Sequence, residues 1–386
     1  MLRTVLSALI VLGLAALSWF AFQPPTRSDG AAQAAVAGLQ RDEQSDLFAR
    51  ALVPREFAFP EDHGAHDDYQ TEWWYYTGNV FTPEGRHFGY QLTFFRRALL
   101  PPRDQQGVSQ RPSRFAFSQV YFAHFAVTDS ANNEHVSFER YSRGAAGLSG
   151  AQAVPFRVFV EDWSAEGLEP LRDATHVRLR AAQDGFAIDL ILESTKPIVF
   201  HGDRGLSQKS PKPGNASYYY SMTRMATRGR ITTPSGTFEV TGSSWLDREW
   251  STSALEDNTE GWDWFSLQLD DGREVMFFKL REKGTGATTF AKGTYIAADG
   301  QTELIPRDGA QIVVLERWTS PHTRATYPVR WRFSLPLYGL DLEIAARIPD
   351  QEMRLTQRYW EGAVTLSGRS AQGAVRGVGY VEMTGY

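Results

Sequence analysis

The stretch Asp247-Arg248-Glu249-Trp250 sets two carboxylates two residues apart beside an indole. In an extended strand alternate side chains face opposite ways, so Asp247 and Glu249 share one face and Arg248 and Trp250 the other. A carboxyl group among aromatic rings has its pKa raised by desolvation, and a second carboxylate nearby raises it further. Such an acid can protonate an alkene; Trp and Tyr faces then stabilise the carbocation, and water adds to it. Asp247, as proton donor, and Glu249 are therefore the candidate catalytic residues. The competing reading is structural: Arg248 pairs with Glu249 or another acid and holds two parts of the fold together.

Other residues are candidates for lining a ligand cavity. Glu72, Trp74 and Tyr76 share one face of an extended segment, so Glu72 is either a functional acid among aromatics or half of a buried ion pair. His124 sits in a run, Val120 to Val127, that is apolar on both faces, and is either a core residue or a ligand contact. Tyr218, Tyr219 and Tyr220 alternate faces, so at least one points inward; Tyr219 and Tyr220 join the list with Arg248, Trp250, Trp262 and Trp264. His63-Gly64-Ala65-His66-Asp67-Asp68 is the one plausible metal cluster, but nothing else in the chain completes a zinc set, and neither metal nor cofactor is expected. There is no Gly-x-Ser-x-Gly elbow, no Gly-x-Gly-x-x-Gly and no P-loop.

The elements that would position these residues read as strands. Apolar residues alternate with polar ones over 176–181, 186–193, 329–335 and 340–344, and Asp184-Gly185, Asp271-Gly272 and Asp299-Gly300 punctuate the strands as turns. No long amphipathic helix follows Ala51. Aromatic residues make up 13% of the chain, with 11 Trp, 15 Tyr and 24 Phe, which suits half-buried pleated surfaces and apolar cavities. The net charge of -5 excludes a basic nucleic-acid binder, and the lack of cysteine excludes disulfides, thiolate metal sites and a cysteine nucleophile. The apolar run Val5 to Phe22 behind Arg3 predicts a signal peptide or membrane anchor over 1–22, so that the remainder is exported. Residues 23–55 read as a linker.

A weak internal repeat divides the remaining chain. Allowing one deletion, Trp74 matches Trp262, Tyr76 matches Trp264 and Gly85 matches Gly272. Two related domains are expected, at 56–255 and 256–386. The stretches Thr71-Glu72-Trp73-Trp74-Tyr75-Tyr76, Tyr218-Tyr219-Tyr220-Ser221-Met222, Gly242 to Ser251, Gly261-Trp262-Asp263-Trp264-Phe265-Ser266 and Tyr359-Trp360-Glu361-Gly362 together resemble the AttH-like/carotenoid 1,2-hydratase superfamily. The resemblance implies an all-β protein of two tandem lipocalin-like antiparallel β-barrels behind an N-terminal signal or anchor helix. It also implies either an exported carrier of a lipid or isoprenoid-like ligand, an accessory of an envelope ABC transporter, or a hydratase/cyclase-type enzyme acting on an apolar polyene. The matching segment of the carotenoid hydratases resembles Asp-His-Asn-Trp; Arg248 and Glu249 depart from it, which favours the carrier. A structural envelope protein with filled barrels is the third reading. The expected partners are a hydrophobic small molecule, the membrane through 1–22, and transporter components. The expected location is the periplasm or the outer face of the inner membrane.

Overall fold

A strand with one face in water needs apolar side chains only at alternate positions. His176–Gln183 follows that rule: Val177, Leu179 and Ala181 are buried and their neighbours are not. Asp184 and Gly185 then turn the chain onto Phe186–Ser194 with φ of +49° and +86°, the positive pair that a two-residue type I′ hairpin requires. Thr326–Leu335 and Leu340–Ala346 have the same one-sided pattern.

A computed structural model of the chain describes residues 45–104, 117–252 and 255–386. The expected signal or anchor segment, 1–22, and residues 23–44 of the expected linker lie outside the described residues. Residues 45–55 pack on the first sheet: Phe48 and Ala51 are buried, and the Tyr218 hydroxyl donates to the Val53 carbonyl at 2.8 Å.

The described residues form two antiparallel sheets, of thirteen and ten strands. The first holds the strands from Thr71–Phe81 to Gly236–Ser251, the second those from Thr259–Leu269 to Gly373–Thr384. Each sheet pairs its first strand with its last. Each also curls around its own core. In the first, Phe125 meets Trp163 across the interior at 5.6 Å, with Trp74, Tyr220 and Trp250 buried beside them. In the second, Phe265 packs edge-on to Trp331 at 5.9 Å, and Trp331 on Trp360 at 6.4 Å. The fold is thus all-β, with two lipocalin-like barrels, as the sequence predicts.

The barrels touch along the strands that join first to last. Thr71–Phe81, Thr259–Leu269 and residues 244–251 of Gly236–Ser251 are largely buried on both faces, one toward their own barrel and one toward the other barrel. A separate apolar cluster fills this seam, including Tyr75, Tyr219, Trp245, Trp264, Phe278 and Tyr380. Polar ties cross it. Asn79 Nδ2 donates to the Gly379 carbonyl at 3.1 Å, and Gln268 Nε2 to the Thr223 carbonyl at 2.7 Å. The backbones come so close that a Cβ added at Gly89 would lie 2.7 Å from that of Ala363.

Candidate active site

Strand pleating sorts the candidate residues onto two faces. Glu72, Trp74, Tyr76, Tyr220, Arg248 and Trp250 point into the N-terminal barrel and do not line the cavity described below. Glu72 accepts hydrogen bonds from Arg96 Nε and Arg248 Nη2, with all three side chains fully buried. The His66 amide adds a bond at 3.0 Å. Burial alone would raise the Glu72 carboxyl, but Arg96 and Arg248 outweigh it and hold it well below the usual range. The Arg248 guanidinium lies 4.0 Å from the Trp74 ring centroid, and His66 stacks on Trp250 at 3.8 Å. Glu72 is therefore half of a buried ion pair, and the partner of Arg248 is Glu72 rather than Glu249. These six residues, expected to line the ligand cavity, build the interior of the first barrel and stand apart from the seam cavity. His63 and His66 are likewise spent internally, on Tyr220 at 2.6 Å and Asp62 at 2.9 Å. Among the described residues no cluster of side chains could hold a metal ion.

The opposite face of the same strands lines a cavity of about 190 Å³ in the seam. Asp247, Glu249, His124, Tyr219, Trp262 and Trp264 all line it. Asp247 is the most elaborately held. Trp245 Nε1 donates to its Oδ1 at 2.6 Å, Ser221 Oγ donates to the same oxygen, and the Tyr219 hydroxyl donates to Oδ2 at 2.6 Å. Behind them, His201 Nε2 meets Ser221 Oγ at 2.6 Å and Trp264 Nε1 donates to the Tyr219 hydroxyl at 3.1 Å. Burial nevertheless pushes Asp247 up to about 7, against the pull of its three donors and with help from Glu249. Glu249 is differently placed, in an ion pair with Lys209 at 2.8 Å and accepting from Ser217. His124 holds the Tyr359 hydroxyl at 2.7 Å through Nδ1, and burial pushes it down to about 3, so it stays neutral.

The second barrel brings two acids that the motif reading passes over. Glu361 and Glu382 stand directly opposite each other on Arg358–Ser370 and Gly373–Thr384, and both line the cavity. The Tyr75 hydroxyl donates to Glu361 Oε1 at 2.7 Å, across the seam. Burial first, then the neighbouring Glu382 and Asp247, push Glu361 well above the ordinary range. Burial pushes Glu382 up to about 8, with Asp247 and Glu249 adding to it against a hydrogen bond from Trp262. Repeat geometry could have located Glu382. Tyr75 pairs with Asp247 in the first sheet as Trp264 pairs with Glu382 in the second. The sequence alignment, which sets Trp74 against Trp262 and Tyr76 against Trp264, matches barrel-facing residues with seam-facing ones. A one-residue slip in a strand has that effect.

The whole described body corresponds to known proteins. The family model of AttH-like proteins matches residues 50–386, and the chain belongs to the AttH-like family. The structure of a candidate AttH from Nitrosomonas europaea is 33% identical, with a TM-score of 0.76, covering 88% of this chain and all of that one (100%). Kievitone hydratase from Nectria haematococca shares the fold at 16% identity and a TM-score of 0.65, over 90% of this chain and 98% of its own. No curated protein matches the sequence.

Proposed function

We propose that this AttH-like protein is a hydratase-type enzyme, adding water to, or removing it from, a carbon–carbon double bond of an apolar substrate held between the barrels. The observation that carries this reading is three carboxyl groups, Asp247, Glu361 and Glu382, all raised in pKa and all facing one aromatic-lined cavity. Acids tuned toward neutrality transfer protons most effectively at neutral pH. Trp262, Trp264, Tyr75 and Phe278 offer ring faces and edges to a developing cation. The cavity volume, about 190 Å³, is that of roughly six water molecules at ~30 Å³ each, so it takes the reacting end of a long polyene and leaves the rest outside. That the shared fold is also that of a hydratase supports the same reading. An exported protein held at a membrane by residues 1–22 would meet such a substrate in the lipid phase.

The test is to incubate the full chain with an apolar extract of its own cell envelope in oxygen-18 water. A product carrying the label on carbon is expected. Asp247→Asn should lower its formation at least about a hundredfold, the scale of losing a general acid or base, with ligand binding retained. Ligand returned unchanged by the wild type, with neither label gained nor water lost, would overturn the enzyme and leave a carrier.

A further inference from the structure

Asp247 and Glu361 face one cavity from different barrels, and their surroundings differ in kind. Both oxygens of Asp247 accept hydrogen bonds, from three donors in all, and three donors favour the anion. Glu361 has one donor, Tyr75, on Oε1, while its buried Oε2 has no hydrogen-bond partner. An anionic oxygen left bare in the interior is costly, whereas a neutral carboxyl carries its proton there. Glu382 stands directly across the strand pair, and like charges opposite each other are destabilising, so that pair favours holding a proton. The other ionisable groups facing Glu361 are Tyr75, Tyr359 and Tyr380, all neutral phenols, and Asp247 itself. None of these groups is a cation.

From this contrast we infer that Glu361, on the second barrel, is the proton donor of the site, and that Asp247 is the carboxylate that takes the proton from water. The inference rests on the hydratase reading above and reverses the role that the sequence suggests for Asp247. In hydration, the π electrons of the substrate form a C–H bond with the Glu361 Oε2 proton as the O–H bond breaks. Water attacks the resulting cation, and its proton passes to Asp247 as the C–O bond forms. Glu361 is then ionised and Asp247 protonated; one proton returned from Asp247 to Glu361 restores the site, and nothing is oxidised or reduced. Both carboxyls are raised, but Glu361, with one donor, well above the ordinary range and Asp247, with three, only to about 7, and two carboxyls held apart in this way make a working acid–base pair. Neither barrel alone holds both.

Infrared spectroscopy of the full chain at mildly alkaline pH reads the assignment without substrate. In a Glu382→Gln background, which removes the other acid that burial pushes up to about 8, the spectrum should show absorption from a protonated carboxyl that is lost on adding Glu361→Gln and retained on adding Asp247→Asn. Tyr75→Phe should shift the frequency of that same band, because it removes the one hydrogen bond on Glu361, and it answers the question should Glu361→Gln fold poorly. In the oxygen-18 assay Glu361→Gln should lose at least about a hundredfold in product while still binding ligand. A band that Glu361→Gln and Tyr75→Phe leave unchanged in frequency and that vanishes in Asp247→Asn overturns the inference and returns the donor role to Asp247. Failure of the hydratase reading itself looks different: the wild type neither incorporates label nor removes water from its ligand, whatever the infrared spectrum shows.

Discussion

Glu72 and Asp247 are buried carboxyls on paired neighbouring strands, yet one is held as an anion and the other is pushed toward neutrality. The difference is the partner. Glu72 has two buried guanidiniums, whereas Asp247 has only neutral donors and a like charge nearby. Removing one member of a fully buried ion pair strands the other, at about 3–5 kcal/mol. Glu72→Gln leaves Arg248 uncompensated, and Arg96 with only the exposed Asp67 at 3.6 Å, and should cost that much in denaturant unfolding followed by tryptophan fluorescence. A loss under about 1 kcal/mol would mean that the pair is hydrated and contributes little, as at a surface. Asp247→Asn keeps the shape and removes a charge that the site resists, so its cost in the same measurement should be small. The two substitutions thus separate a residue of the barrel from a residue of the cavity.

At the scale of elements, the readable strands are those with one wet face. The sequence alternation over 176–181, 186–193, 329–335 and 340–344 matches the buried positions because water enforces the polar partner residues. Thr71–Phe81 and residues 244–251 of Gly236–Ser251 carry no such signature, because barrel and seam bury both their faces there. This is why the pleat placed Asp247 with Glu249 correctly, while the choice of which face met the ligand stayed open. Glu72, Trp74 and Tyr76 were as aromatic and acidic as the true lining, Trp73 and Tyr75, one residue away. Glu361 and Glu382 were missed for another reason: an acid in a strand near the chain end reads as a surface residue until the second barrel is known to fold onto the first, and only the paired geometry of the repeat points to Glu382. The seam itself is testable through Gly89, whose backbone is unstrained but whose added Cβ would meet Ala363 at 2.7 Å and the Tyr380 hydroxyl at 2.8 Å. Gly89→Val should destabilise by about 1–3 kcal/mol through overpacking and weaken ligand binding, since it wedges apart the two walls of the cavity. Unchanged unfolding and binding would show that the barrels yield there.

For the whole molecule, the buried groups make stability depend on pH in two opposing ways. Burial pushes His63 down to about 4 and His87, His124, His135 and His201 down to about 3. Their folded values lie below the unfolded value of 6.5, so the unfolded chain binds more protons in acid and stability is lost as pH falls below 6.5. Glu72 adds to the same acid limb below its unfolded value of 4.5. The seam acids act in the other direction. Asp247, at about 7, Glu382, at about 8, and Glu361 stay protonated when folded at pH values where the unfolded chain has released those protons. Their contribution is therefore complete below the unfolded carboxyl values and is lost as pH rises toward 8. Five histidines titrating against three acids balance at about pH 6.5, where the unfolded histidines are half protonated. The melting temperature should peak there and fall on the alkaline side, before any lysine or tyrosine titrates. Glu382→Gln removes one of the three acids, so it should steepen the rise between about pH 4.5 and 6.5, move the maximum to higher pH and flatten the decline, leaving stability unchanged in its pH dependence only below about pH 4.5. A wild-type melting temperature that climbs steadily from pH 6.5 to 8 would mean that the seam acids are ionised in the folded protein, and the proton chemistry assigned to the cavity would lose its basis.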